Sequence, residues 1–312
     1  MKKQKIEKRV LVAIDGSFNA FRAVEYVATI FKEDPAFKIS VVYVMSPLPP
    51  ILYETSEEQE LIDWQSSYRS KLEKKYRQQA DEILGKVTNF LKDNGWSEEQ
   101  FETIALPGRS GPAQDLLFYA EQGLFDALVM GRRGKTKWEK MIMGSVTDKI
   151  IHAQKTVPIW IIIKPIVSQK ILLAIDGSEN AMRAVDHVGF VLSGRTDVEV
   201  TIFHVLDLKP FVILEKPSQK WQEIAEKKMA TFMSQAKNIL VEAGVPKEKI
   251  NLVIRPSDKG VAQEIIEYQK KESISTITMG RRGLSRLKAF FLGSVSTKVL
   301  NMIEEGAVWI VD

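Results

Sequence analysis

Two stretches of the chain repeat one arrangement of residues that could hold a phosphorylated ligand. They are GRRGKTKWEKMIMGS at 131–145 and GRRGLSRLKAFFLGS at 280–294. Each has two glycines three apart, then nine residues, then Gly-Ser. Gly131 follows the apolar run DALVM, which reads as a strand, and ligands of open α/β sheets bind at the carboxyl ends of strands. Glycine there lets the backbone turn tightly or pass close to a bound group. Gly144-Ser145 and Gly293-Ser294 then open helices, whose first N–H groups favour anions. Ser145 and Thr147, and Ser294 and Ser296, add hydroxyls. Arg132, Arg133, Arg281 and Arg282 could pair with phosphate oxygens, since guanidinium donors match them, or could face solvent. The alternative for the glycines is that they only serve turns in a duplicated scaffold.

A second candidate is Asp15, with its counterpart Asp176, each ending an apolar run just before Gly-Ser. A carboxylate at that place can accept hydrogen bonds from a ribose. It could equally cap the following helix with an Asx-turn, and chemistry alone leaves both readings open. Other constellations are excluded. The glycine pattern lacks the lysine and following hydroxyl residue of the P-loop, and differs from the Rossmann fingerprint. There is no G-x-S-x-G elbow with a supporting histidine. With no cysteine and only His152, His187 and His204, thiolate chemistry and cysteine-ligated metal are ruled out, and the histidines form no ligand cluster in sequence. Lys135, Lys137 and Glu139 change between the copies and receive no catalytic role.

The elements that must position these residues also come twice. VLVAIDGSFNAFRAV at 10–24 returns as ILLAIDGSENAMRAV at 171–185, an offset of 161, whereas the glycine loops are offset by 149. Order is kept and the second copy is 12 residues shorter between its signatures, so the chain is a tandem duplication of domain-sized units, 1–164 and 165–312, with 165–169 as a short linker. Strands are expected at 10–14, 39–45, 101–106, 125–130 and 157–163, and at 170–175, 198–205, 250–254, 274–279 and 307–311. Helices fall between them, including one long or two successive amphipathic helices over 57–90 with the apolar stripe Leu61, Trp64, Tyr68, Leu72 and Tyr76. Strands alternating with helices imply an α/β fold, with a parallel sheet covered on both faces. A 45% hydrophobic and 27% charged composition is that of a globular protein. The net charge of +4 is too small and scattered to argue for nucleic acid. The first apolar run is too short for a signal sequence or a membrane span, so the expected location is cytoplasmic, with no membrane partner.

The chain resembles a tandem universal stress protein, once per half. The resemblance rests on Asp15-Gly16-Ser17 with Ala20 and Ala23, on Asp176-Gly177-Ser178 with Ala181 and Ala184, and on two full matches to Gly-x2-Gly-x9-Gly-Ser. It implies two doubly wound domains, each a five-stranded parallel sheet of order 3-2-1-4-5 covered by helices. It implies ATP as ligand, with Mg²⁺ or Mn²⁺ carried alongside. Asp15 and Asp176 would meet the adenosine end, beside Ala13, Ile14, Ala174 and Ile175. Val44 and Val205 would lie near adenine, and Met130 and Met279 near base and ribose. Gly131, Arg132, Gly134, Gly144, Ser145, Val146 and Thr147 would surround ribose and phosphates, as would Gly280, Arg281, Gly283, Gly293, Ser294, Val295 and Ser296. Fifth strands would pair the halves into a pseudo-dimer within one chain, with a further homo-oligomer left open. The implied function is a nucleotide-binding stress or signalling protein in which occupancy biases conformation or partner binding. No residue stands out as a water-activating base, so at most a weak ATPase is expected. The competing reading is a docking or chaperone-like scaffold without nucleotide.

Overall fold

A computed structural model describes residues 6–55, 57–132, 145–153, 156–208, 219–284 and 292–312. The expected Gly134, Gly144 and Arg133 lie outside them.

The first half contains β1 (Lys8–Ile14), α1 (Phe18–Ile30), β2 (Phe37–Val44), α2 (Gln59–Asp93), β3 (Phe101–Leu106), α3 (Pro112–Gln122), β4 (Ala127–Gly131), α4 (Ser145–His152) and β5 (Ile159–Lys164). The second contains β6 (Lys170–Ala174), α5 (Glu179–Leu192), β7 (Glu199–Asp207), α6 (Gln219–Glu242), β8 (Ile250–Ser257), α7 (Val261–Lys271), β9 (Thr276–Gly280), α8 (Ser294–Met302) and β10 (Gly306–Val311). The segment over 57–90 is therefore one helix.

The sheet runs β3-β2-β1-β4-β5-β10-β9-β6-β7-β8. Within each half the strands are parallel in the order 3-2-1-4-5, and β5 pairs antiparallel with β10. Alternate strand residues face opposite layers. Val10, Val12 and Ile14 pack under α1 and α2, whereas Leu11 and Ala13 pack under α3 and α4; the second half repeats this with α5 and α6, and with α7 and α8. Both faces are covered, which is why the strand sequences are almost uniformly apolar.

The local chemistry of the Asp-Gly-Ser turns is the same in both halves. Gly16 and Gly177 have φ of 79° and 81°, a left-handed conformation that glycine adopts without steric penalty. Ser17 and Ser178 then cap α1 and α5 by accepting from the N–H of Ala20 and Ala181, both at 3.2 Å.

At the centre the halves share one core. Trp160 and Trp309 are opposite in the β5–β10 register and stack at 4.0 Å between centroids. Trp160 Nε1 donates to His187 Nε2 at 3.1 Å. Tyr26 and Thr276, from different halves, share a buried hydroxyl–hydroxyl hydrogen bond of 2.6 Å. The buried Lys8 ammonium pairs with Asp34 at 2.6 Å and also donates to the Ser193 carbonyl of the other half at 2.9 Å. The domains pack as the short linker leads one to expect.

Candidate functional site

In the second half a cavity of about 260 Å³ opens at the carboxyl ends of β6, β7 and β9. It lies where the strand order reverses between β6 and β9, the switch point at which open α/β sheets bind ligands. One end is apolar, formed by Phe203, Val205, Val261, Ile265 and Met279; the other is made by Gly280, Arg282, Gly283, Gly293 and Ser294. Eleven of the twelve residues expected for this half line it: Ala174, Ile175, Asp176, Val205, Met279, Gly280, Gly283, Gly293, Ser294, Val295 and Ser296.

Helix α8 starts at this cavity with Gly293 as N-cap and no side-chain cap. The first N–H groups of a helix have no intrahelical acceptor, so Ser294, Val295 and Ser296 bring free donors to the cavity wall. The Gly293 N–H itself donates to the Arg281 carbonyl at 2.9 Å. Ser296 Oγ donates to the Gly280 carbonyl at 3.0 Å, so this hydroxyl braces the loop.

The aspartates serve their own turns. Asp15 Oδ1 accepts from the Ser17 N–H at 2.9 Å and Asp176 Oδ1 from the Ser178 N–H at 3.0 Å; these are Asx-turns, with the capping done by serine. Asp176 also lines the cavity, and its Oδ2 accepts from the Leu284 N–H at 3.1 Å. It thus ties the first turn to the glycine loop. Gly283 must be glycine for this, since a Cβ there would overlap Asp176 Oδ2.

The Arg132 and Arg281 guanidinium groups turn into the contact with the other half. They are 7% and 2% exposed. The Arg132 guanidinium donates to the Leu300 carbonyl and, at 3.0 Å, to the Ile303 carbonyl. Those carbonyls lie in the last turn of α8 and at its C-cap, in the other half. Arg281 mirrors it by donating to the His152 carbonyl at the end of α4 at 3.4 Å, and it pairs with Asp312 at 3.0 Å. The arginine beside the cavity is Arg282, held by Asp312 at 2.8 Å. Burial pushes the Asp312 carboxyl up, but the Arg282 hydrogen bond and the two guanidinium charges outweigh it and leave the carboxyl below its ordinary value.

His204 was not expected at the site. Its Nδ1 sits 2.8 Å from the Ile175 carbonyl. A carbonyl only accepts, so the neutral ring carries its proton on Nδ1 and offers Nε2 as an acceptor. Burial lowers its pKa, against opposing contributions from the Ile175 carbonyl and Asp176. The signal available in sequence was its place one residue before Val205, aligned with Tyr43 in the first half.

In the first half, Ala13 and Ile14 close β1, Asp15 follows it, and Val44 ends β2. Met130 and Gly131 end β4, and Ser145, Val146 and Thr147 begin α4. The β1–β4 register places Ala13 beside Met130, as the β6–β9 register places Ala174 beside Met279.

The profile of the Universal stress protein family matches residues 7–162 and again 168–305. A universal stress protein of Synechocystis sp. is 26% identical over 311 residues, covering 94% of this chain and 96% of its own. A universal stress protein of Bacillus subtilis is 33% identical over 139 residues, 42% of this chain and 90% of its own. In fold, the crystal structure of a universal stress protein from Archaeoglobus fulgidus aligns with a TM-score of 0.63 at 23% identity, covering 97% of this chain and 98% of that one.

Proposed function

The chain belongs to the universal stress protein family, and from that premise we propose that it is a stress-response protein that binds ATP in both halves, with occupancy biasing its conformation or its partners. The observation that carries this reading is the two-ended cavity of the second half. A base fits the apolar end between Phe203, Val205 and Ile265, and phosphates fit the glycine loop, where the start of α8 and Arg282 supply donors. Neutral His204 offers an acceptor to an exocyclic amine of the base. Ribose falls between, beside Asp176. The first half keeps most of these residue types at the same strand ends, from Ala13 to Thr147, with Tyr43 in the place of His204.

The donor set fits a nucleotide better than a resident metal. Among the described residues no group of three or more His, Asp or Glu side chains could hold an ion. A divalent cation would therefore arrive on the phosphates, where it neutralises their charge. The cavity also favours binding over turnover. Both Asp176 oxygens already accept backbone N–H groups, and His204 has one nitrogen committed. Hydrolysis is expected to be slow or absent.

The test is to purify the full chain without added nucleotide, denature it and identify released ligands by mass spectrometry, then titrate the stripped protein with ATP and Mg²⁺ by calorimetry. Close to two ATP per chain supports the proposal in full. One per chain confines it to one half. If nothing is released and nothing binds, the scaffold reading without nucleotide replaces it.

A further inference from the structure

Helix α2 has 35 residues, a length of about 52 Å at about 1.5 Å per residue. Only the later part of α2 enters the core, through Ala80, Leu84, Val87 and Leu91. In the earlier part Gln65 alone is buried, donating to the carbonyls of Ile51 and Glu54 at 2.8 and 3.1 Å.

This projecting part nevertheless carries an apolar seam. Leu61, Trp64 and Tyr68 are 38%, 46% and 46% exposed, and the seam continues into half-buried Leu72. Steps of three, four and four residues keep these side chains on one stripe of a helix, the pattern of a helix that packs on another helix. The Trp64 and Tyr68 rings stack on each other at 5.4 Å, and both stay exposed among the described residues.

Charge along one flank of the seam says what covers it. Residues 60, 63, 67, 71 and 74 follow each other at the same three- and four-residue steps, so they share a side. They read Glu60, Asp63, Ser67, Lys71 and Lys74, all exposed. Asp63 accepts from Gln59 at 2.9 Å. Glu60, Lys71 and Lys74 form no ion pair among the described residues, whereas Arg69–Glu73 and Arg77–Asp81 pair within the helix at 3.1 and 3.2 Å. The flank is thus acidic at one end, basic at the other and balanced about Ser67.

We propose that this face of α2 docks a second copy of the chain, the two helices antiparallel about a twofold axis at Ser67. Glu60 then meets the partner's Lys74, and Asp63 meets the partner's Lys71, each contact occurring twice as an isologous interface requires. The seam residues of the two helices alternate along the axis, so that Trp64 seats between the partner's Tyr68 and the partner's Leu72. A parallel pairing would turn this flank towards the partner's other flank, and the Glu60–Lys74 and Asp63–Lys71 contacts would not form. Exposed ion pairs add little affinity. Burial of the seam drives association, and the flank selects antiparallel order.

The test uses the full chain and sedimentation velocity across a concentration series at low salt. The expected species is a dimer, twice the 35.4 kDa of one chain. Trp64→Glu with Tyr68→Glu should weaken dimerisation at least tenfold, with an unchanged circular dichroism spectrum. Glu60→Lys with Asp63→Lys makes the flank wholly basic, and Lys71→Glu with Lys74→Glu makes it wholly acidic. Each double variant alone should be monomeric, and a mixture of the two should form the heterodimer. The chain has no cysteine, so single cysteines report orientation. Ser67→Cys should crosslink to itself under mild oxidation, and Glu60→Cys should not. A monomer at every concentration overturns the proposal, as does a dimer indifferent to the flank charges, or self-crosslinking through Glu60→Cys.

Discussion

Arg132 and Arg281 hold the same place in their loops and reach the same kind of partner, the last carbonyls of a helix in the other half. Those carbonyls have no intrahelical donor, and burial would make them costly to leave bare. Arg132→Ala is expected to lose about 2–4 kcal/mol of stability, since two buried acceptors are orphaned at once. Arg132→Lys should recover only part of it, because an ammonium lacks the planar fork that spans two carbonyls. Urea denaturation followed by tryptophan fluorescence checks both. His187 gives a second residue-scale prediction. Burial against the tryptophan pair lowers its pKa to about 4, from 6.5. Above pH 6.5 the ring is neutral whether the chain is folded or not, and it has no effect on the pH dependence. As pH falls from 6.5 towards 4 the unfolded chain takes up the proton first, and stability drops by roughly 3 kcal/mol across that window. His187→Gln keeps an acceptor for Trp160 Nε1 and should flatten that part of the stability profile. The paired arginines were visible in sequence, but not which of each pair turns inward. That choice depends on how a neighbouring half is placed, and local chemistry carries no trace of it.

The strand ends, first turns and helix starts were the most legible elements, because backbone geometry restricts which residues serve there. Gly131 and Gly280 lie against the starts of α1 and α5; a Cβ on Gly131 would overlap the Asn19 carbonyl, and one on Gly280 would come within 2.8 Å of the Asn180 carbonyl carbon. Gly283 is the more useful position for experiment. Gly283→Ala should displace Asp176, break its bond to the Leu284 N–H and weaken ATP binding in the second half at least tenfold. The first half should be unaffected, so calorimetry should resolve one strong and one weakened site. The apolar stripe on α2 marks an amphipathic helix, yet periodicity alone does not tell which part meets the core. Ala80 to Leu91 do, and Leu61 to Tyr68 do not. The difference lies in where the sheet ends, which is not a property of the helix.

As a whole molecule the chain is two copies of one unit merged into a single sheet. The family resemblance supplied the strand order and the pairing of the fifth strands, whose apolar edges would invite aggregation if left bare. Residues 1–164 expressed alone would expose β5 with Trp160 on its edge. We expect that fragment to self-associate, and the full chain to unfold in one transition with coincident fluorescence and circular dichroism curves. Two separated transitions would show that the shared core is weaker than its packing indicates. The antiparallel junction also sends the carboxyl ends of the two strand sets to opposite rims of the sheet. Helix α8 starts in the cavity on one rim and ends under Arg132 on the other, a span of about 14 Å for nine residues. Helix α4 makes the reverse journey, from Ser145 to the carbonyl that Arg281 holds. Each is a short pushrod between the rims. A ligand that tugs the first turn of α8 also tugs the opposite glycine loop through its arginine, so the two rims have a mechanical line between them in each direction.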